Sequence, residues 1–126
     1  MTIVPVIKCR DLVRSIAFYT EVLGFQWRWP EYKEQELANG VADLVLDGAN
    51  VQLSRHAGDG CYGSLSRVFV DDVDACYHEF RARGLDTSGK PESPVQTAPI
   101  DQTWGLREFA VGDPDGNGLL FCAPVP

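Results

Sequence analysis

Side chains able to do chemistry are sparse in this chain, and their types favour stacking and charge over covalent catalysis. The two histidines, His56 and His78, and the four cysteines, Cys9, Cys61, Cys76 and Cys122, each stand alone. No C-x-x-C pair or close ligand spacing marks a structural zinc site, so the thiols are expected to be reduced and mostly buried. There is no G-x-S-x-G elbow, no clear cysteine and histidine arrangement and no phosphate-cradling glycine loop. What remains is aromatic and acidic. Trp27 and Trp29 share one face of an expected strand, and Trp104 stands just before Arg107-Glu108-Phe109. A planar ligand stacked on such a ring gains about 0.5–1.5 kcal/mol beyond area burial, and a cation over it about 0.5–2 kcal/mol. Glu31, Glu34 and Glu36 follow Trp29 closely, a rim suited to attracting and orienting a positive group.

The elements that position these residues come in two copies. Ile3-Val4-Pro5-Val6-Ile7 is an apolar run, followed by Asp11 as a helix N-cap. Leu12, Ile16, Tyr19 and Leu23 then form one helical face that stops at Gly24. The order returns about 61 residues later: Val68-Phe69-Val70, Asp71-Asp72, then Val73, Cys76, Tyr77 and Phe80 before Gly84. Each helix is followed by alternating segments. The first copy predicts strands over 25–30, 41–46 and 50–54, with Asp47-Gly48 as the turn between the last two. The second predicts strands over 95–98, 106–111 and 118–122, with Asp113-Pro114-Asp115-Gly116 as a type I turn. The chain is thus expected to be α+β, two βαβββ repeats (about 1–56 and 64–126) within one domain, joined by a linker over 56–63. A four-stranded sheet with one helix leaves a face uncovered, so the two copies are expected to form a half-open cup that a ligand or a second subunit fills.

Composition narrows the partners. Hydrophobic residues are 44% and charged residues 23% of 126, ordinary for a globular domain. Eighteen acids against eleven bases give a net charge of -7, which opposes nucleic acid and anionic membranes and favours cations or neutral molecules. No apolar stretch approaches the roughly 20 residues that span a bilayer, and the N-terminus lacks a secretory pattern, so a cytoplasmic location is expected.

The repeat and its local sequences resemble the vicinal oxygen chelate superfamily, which includes glyoxalase I, extradiol dioxygenases, fosfomycin-resistance enzymes and bleomycin-resistance proteins. The segments Val4-Pro5-Val6-Ile7, Arg10-Asp11, Phe18-Tyr19-Thr20 and Leu23-Gly24-Phe25 look like the bleomycin-resistance branch, as does Trp104-Gly105-Leu106-Arg107-Glu108-Phe109 followed by Asp113-Pro114-Asp115-Gly116-Asn117. By this resemblance the metal-ligand positions of the superfamily's enzymes fall on Val4, Gln52, Leu65 and Leu120. Three are aliphatic and cannot donate a lone pair, so neither a metal nor another cofactor is expected. A one-residue register slip would bring Lys8, Glu108 or Ser66 to that face instead.

The resemblance implies a homodimer that binds and sequesters a planar, cationic antibiotic of the bleomycin type without chemistry. Trp29, Trp104, Trp27, Phe109 and Glu31 are the expected ligand-binding residues, Trp29 and Trp104 standing where that branch clamps the planar part of the drug. Two alternatives stay open: a metal-dependent enzyme of the superfamily using Gln52 and Glu108, or a carrier of another planar molecule, for example of the mitomycin type.

Overall fold

The computed structural model describes residues 1–89 and 95–126. The chain runs β1 (Val6–Lys8), α1 (Leu12–Ala17) continued by a π-helical turn (Phe18–Val22), β2 (Gln26–Trp27), a 3-10 turn (Pro30–Tyr32), α2 (Lys33–Ala38), β3 (Val41–Leu46) and β4 (Ala49–Ser54). The second half follows as β5 (Leu65–Phe69), α3 (Val73–Ala82), β6 (Ile100–Asp101), β7 (Leu106–Gly112) and β8 (Gly118–Pro124). It is a mixed α+β structure of two four-stranded sheets with the same order, β1-β4-β3-β2 and β5-β8-β7-β6. In each sheet the first strand pairs parallel with the last and the others pair antiparallel.

Both helices begin as their sequences predict. Asp11 accepts the Arg14 N–H at 3.1 Å, and Asp72 accepts the Ala75 N–H at 3.0 Å. Each cap satisfies a donor that the first helical turn leaves unpaired. The helix-covered faces of both sheets join one core. Ile7, Leu44 and Leu53 supply the first half, Phe109, Leu119 and Phe121 the second, and Tyr19, Leu23 and Phe80 come from the helical segments. Because strand side chains alternate, residues between these core positions point the other way. Val6, Gln52 and Asp43 share the uncovered face of the first sheet, and Arg67, Leu120 and Ala110 that of the second.

Four sequence expectations need correction. The first strand begins at Val6, because Pro5 has no N–H to give the ladder and offers only its carbonyl, which takes the Gln52 N–H at 2.9 Å. The strand expected over 25–30 is two residues long and gives way to the Pro30 turn and α2, a helix that the alternating pattern concealed. The strand expected over 95–98 lies instead at Ile100–Asp101. Gln96 makes one bond to that sheet, its carbonyl accepting the Ala110 N–H at 2.7 Å, while the Thr97 hydroxyl turns back to the Thr87 carbonyl. The helix before Gly24 is not uniform either: its last turn widens to the π form, closed by a Leu23 N–H to Phe18 carbonyl bond of 3.3 Å.

Candidate functional site

An open groove of about 690 Å³ lies on the uncovered face of the second sheet. Leu65, Leu120 and Ala110 form its floor, Glu108 stands in it, and Trp104 forms a wall. Trp104 sits in the tight turn between β6 and β7, where the Gly105 N–H bonds the Gln102 carbonyl at 3.1 Å and Gly105 adopts φ +87°. Only glycine adopts that backbone without strain, and the turn holds the indole out of the core at 58% exposure.

Glu108 is 4% exposed and forms an ion pair with Arg67, whose strand runs on the far side of β8. Arg67 in turn stays charged beyond its ordinary range because Glu108 accepts from it. At the outer edge, Arg107 pairs with Asp74 at 2.9 Å and with Asp101 at 3.0 Å, and this holds the Asp74 carboxyl below the usual range.

On the first sheet, Arg28 and Gln26 point to the uncovered face, because Arg28 bonds the Asp43 carbonyl and Gln26 pairs with Val45. Trp27 pairs with the buried Leu44 and packs against the core, with Lys33 Nζ 5.5 Å from its ring centre. Trp29 has left the strand, is 40% exposed and carries the Arg28 guanidinium 4.6 Å from its ring centre. Glu31 is exposed in the 3-10 turn beside it. Glu36 belongs to none of this exposed rim: it is 8% exposed, and its Oε1 accepts the Asp43 N–H at 2.7 Å. That bond supplies the acceptor which a continuing β2 would have given to the edge of β3.

Two of the expected ligand residues, Phe109 and Trp27, turn their rings toward the core, although Phe109 also borders the groove. Phe109 has no exposed surface and stacks on Phe121 at 5.6 Å between ring centres. Trp27 faces the helix side. The signal that separates Phe109 from Glu108 was present in the alternation of Phe109 with Val111, which fixes the core face and leaves Glu108 opposite. Trp29 and Trp104 are exposed, but in different repeats, and no ring contact joins them among the described residues. Arg67 and Asp43 are the polar residues that sequence reasoning did not assign to the site, and Glu36, expected on an exposed acidic rim, is buried instead.

The metal-ligand positions expected from the resemblance divide by sheet. Leu65 and Leu120 lie on the groove floor, Val4 precedes β1, and the Gln52 amide donates to Asp43 at 3.2 Å. The remaining carboxylate, Glu108, is held by Arg67. Among the described residues no group of three or more histidine, cysteine, aspartate or glutamate side chains converges. This donor set does not fit a divalent ion. Burial raises the Cys9 and Cys76 thiols above their ordinary range, which keeps them protonated and unreactive.

Residues 4–121 match the family model of the Glyoxalase/Bleomycin resistance protein/Dioxygenase superfamily. The chain belongs to this superfamily. It is 26% identical to a bleomycin resistance protein of Geobacillus stearothermophilus over 94% of this chain and 92% of that one, and equally to one of Staphylococcus aureus. Among solved structures, a bleomycin-binding protein of bleomycin-producing Streptomyces verticillus, complexed with copper(II)-bleomycin, superposes with a TM-score of 0.71 at 27% identity, covering 99% and 97% of the two chains. A bleomycin resistance determinant encoded on the transposon Tn5 shares the fold with a TM-score of 0.77 at 23% identity, covering 100% and 99%. Among the described residues, no helix of this superfamily member is long and apolar enough to cross a membrane.

Proposed function

We propose that this chain is one domain that binds and sequesters a planar, cationic antibiotic of the bleomycin type, as a homodimer and without chemistry. The observation that carries the reading is the groove of about 690 Å³ walled by Trp104, with Leu65 and Leu120 on its floor. An apolar floor beside an exposed indole suits a flat heteroaromatic group, and aliphatic side chains give no metal the Lewis-acid role it has in the superfamily's enzymes. The relatives named for bleomycin resistance and bleomycin binding support the same ligand class. The net charge of -7 favours a cationic ligand over an anionic one.

The homodimer reading is supported by the uncovered faces themselves. Leu65 at 67%, Phe69 at 64% and Val6 at 38% exposure leave apolar side chains in water on both sheets, surface that a second copy would bury. Sedimentation at micromolar concentration is expected to give twice the chain mass, and a Leu65→Glu variant to give the monomer.

Titration with metal-free bleomycin is expected to quench tryptophan fluorescence, and Trp104→Ala to weaken binding at least tenfold, about 1.4 kcal/mol. Absence of quenching at high micromolar bleomycin overturns the reading. If a mitomycin-type compound raises the melting temperature while bleomycin does not, the site instead carries another planar molecule.

A further inference from the structure

The uncovered face of the first sheet holds a buried acid that no cation pairs among the described residues. Glu36 projects from the middle of α2 and is 8% exposed. One carboxyl oxygen, Oε1, takes the Asp43 N–H at 2.7 Å. The other, Oε2, is fully buried and has no hydrogen-bond partner among the described residues. The Asp43 carboxyl neighbours the Glu36 side chain and accepts a bond from the Gln52 amide at 3.2 Å. Asp43 and Gln52 are opposite one another on neighbouring strands and point away from the core.

Among the described residues, the charged groups around the pair are either acidic or engaged elsewhere. Glu31, in the turn before α2, adds a further negative charge. Arg28, at the end of β2, lies over the Trp29 ring, and Lys33, on the same helix as Glu36, lies over the Trp27 ring. Glu34 is exposed on that helix, and His56 and Arg55, after β4, contact Asn39 and Gly40 at its far end. Among the described residues, no ion pair joins a lysine or arginine to Glu36 or Asp43. The second sheet shows the completed arrangement, since its buried carboxylate, Glu108, has Arg67 on it.

We propose that Glu36 and Asp43 form a cation-receiving site, in which the carboxyl pair takes an ammonium, amidinium or guanidinium group of the bound ligand as Glu108 takes Arg67. The proposal rests on the ligand-binding reading above and adds the group that recognises the ligand's charge. A buried carboxylate pair is costly unless a positive charge or a proton accompanies it. In the free protein that partner is a proton: burial, with the Asp43 carboxyl next, pushes Glu36 up to about 7. A cationic ligand replaces the proton, so binding near neutral pH expels it to solvent and leaves the net charge of the site unchanged.

The test is calorimetry with metal-free bleomycin at pH 6.5 in two buffers of different ionisation enthalpy, on the wild type, Glu36→Gln, Asp43→Asn and Trp104→Ala. The wild type is expected to release about half a proton or more beyond the Glu36→Gln variant, because a group titrating near 7 is mostly protonated at pH 6.5. At pH 8.5 that difference is expected to vanish. Glu36→Gln and Asp43→Asn are each expected to weaken binding at least tenfold at pH 8.5, and Trp104→Ala to weaken it while keeping the wild-type proton release. Bleomycin binding within twofold of wild type in both carboxyl variants, with unchanged proton release, overturns the cation site and leaves the ligand-binding reading standing. If bleomycin does not bind the wild type, that reading falls and benzamidine, an apolar ring bearing an amidinium, decides the site alone. It is expected to raise the wild-type melting temperature but not that of Glu36→Gln or Asp43→Asn, and an equal rise in all three, or none, overturns the site.

Discussion

The two repeats share a strand order but close their seams differently. In the second, the β7–β8 turn folds onto α1: the Asp113 carboxylate accepts the Tyr19 hydroxyl at 2.9 Å and the backbone N–H groups of Asp115 and Asn117 at 2.8 and 2.9 Å. Asp115 takes the Arg10 guanidinium at 3.1 Å and the Ser15 hydroxyl at 3.2 Å, and the Pro114 carbonyl takes Arg14 at 2.7 Å. In the first, the β3–β4 turn is the short Asp47-Gly48 hairpin, both residues at positive φ (46° and 83°). It does not fill the corresponding space against α3, where a cavity of about 530 Å³ remains among Leu46, Asp47, Val70, Cys76 and Phe80. The wall explains the difference. Shifted by about 61 residues, Arg10, Arg14, Ser15 and Tyr19 become Asp71, Ala75, Cys76 and Phe80. A seam lined with donors holds an acidic turn, and the same seam with those donors replaced has nothing for such a turn to bind.

The largest effect expected from breaking this contrast is at Asp113. Asp113→Ala leaves the Tyr19 hydroxyl, which has no exposed surface, and the Asn117 N–H without their acceptor. Each orphaned buried donor costs about 1–3 kcal/mol, so a loss of about 3–5 kcal/mol is expected in urea unfolding at pH 7. Asp47→Ala, at the equivalent turn of the first repeat, is expected to change stability by less than about 1 kcal/mol. Equal losses at the two turns would show that the sealed seam is no stronger than the open one.

The repeat that supports this comparison was legible because caps and turns are local chemistry. Asp11 and Asp72 show as caps, Asp47-Gly48 as a hairpin and Asp113-Pro114-Asp115-Gly116 as a turn before any tertiary contact is known. What was not legible depends on which of two faces is covered. Trp27 and Trp29 read as one face of a strand, but Pro30 starts a helical turn and the strand ends at Trp27, so the second indole leaves the sheet while the first stays against the core. Phe109 reads as an aromatic beside Trp104 until β7 is paired with β8, when Phe109 meets Phe121 in the core and Glu108 meets Cys122 on the other face. Glu36 reads as one of three rim acids, yet α2 turns it into the edge of β3. Sheet edges and helix reversals set these outcomes, and neither is encoded in the alternation of a single strand.

A second pair of variants compares the uncovered faces. Arg67→Met leaves Glu108 buried without its cation, which is expected to cost about 2–3 kcal/mol, less than a fully buried pair because the Arg67 side chain is 34% exposed. Adding Glu108→Leu to Arg67→Met is expected to restore most of that loss, since the double variant buries no lone charge. If the single and double variants were equally unstable, packing around Arg67 and not its charge would be what the second sheet needs.

The first sheet is expected to behave oppositely, and by a smaller amount. Glu36 titrates near 7 in the folded chain against an ordinary value of 4.5, so the folded state binds the proton more tightly than the unfolded state does. Between these values the unfolded chain holds fewer protons, and stability therefore falls as pH rises from about 4.5 towards 7 and levels off above that range. The effect is expected to be about 1–2 kcal/mol across the window. Glu36→Gln keeps the shape and the acceptor for the Asp43 N–H but removes the titration. Its unfolding free energy is expected to lose that component of the slope between pH 4.5 and 7, and to exceed the wild type's above pH 7.5. Arg67→Met, by contrast, is expected to be destabilised throughout the same range, because it creates an unpartnered buried carboxylate on the second sheet where Glu36→Gln removes one from the first. A Glu36→Gln variant with the wild-type slope would place the titration on another group and leave the first sheet's acid as firmly partnered as the second's.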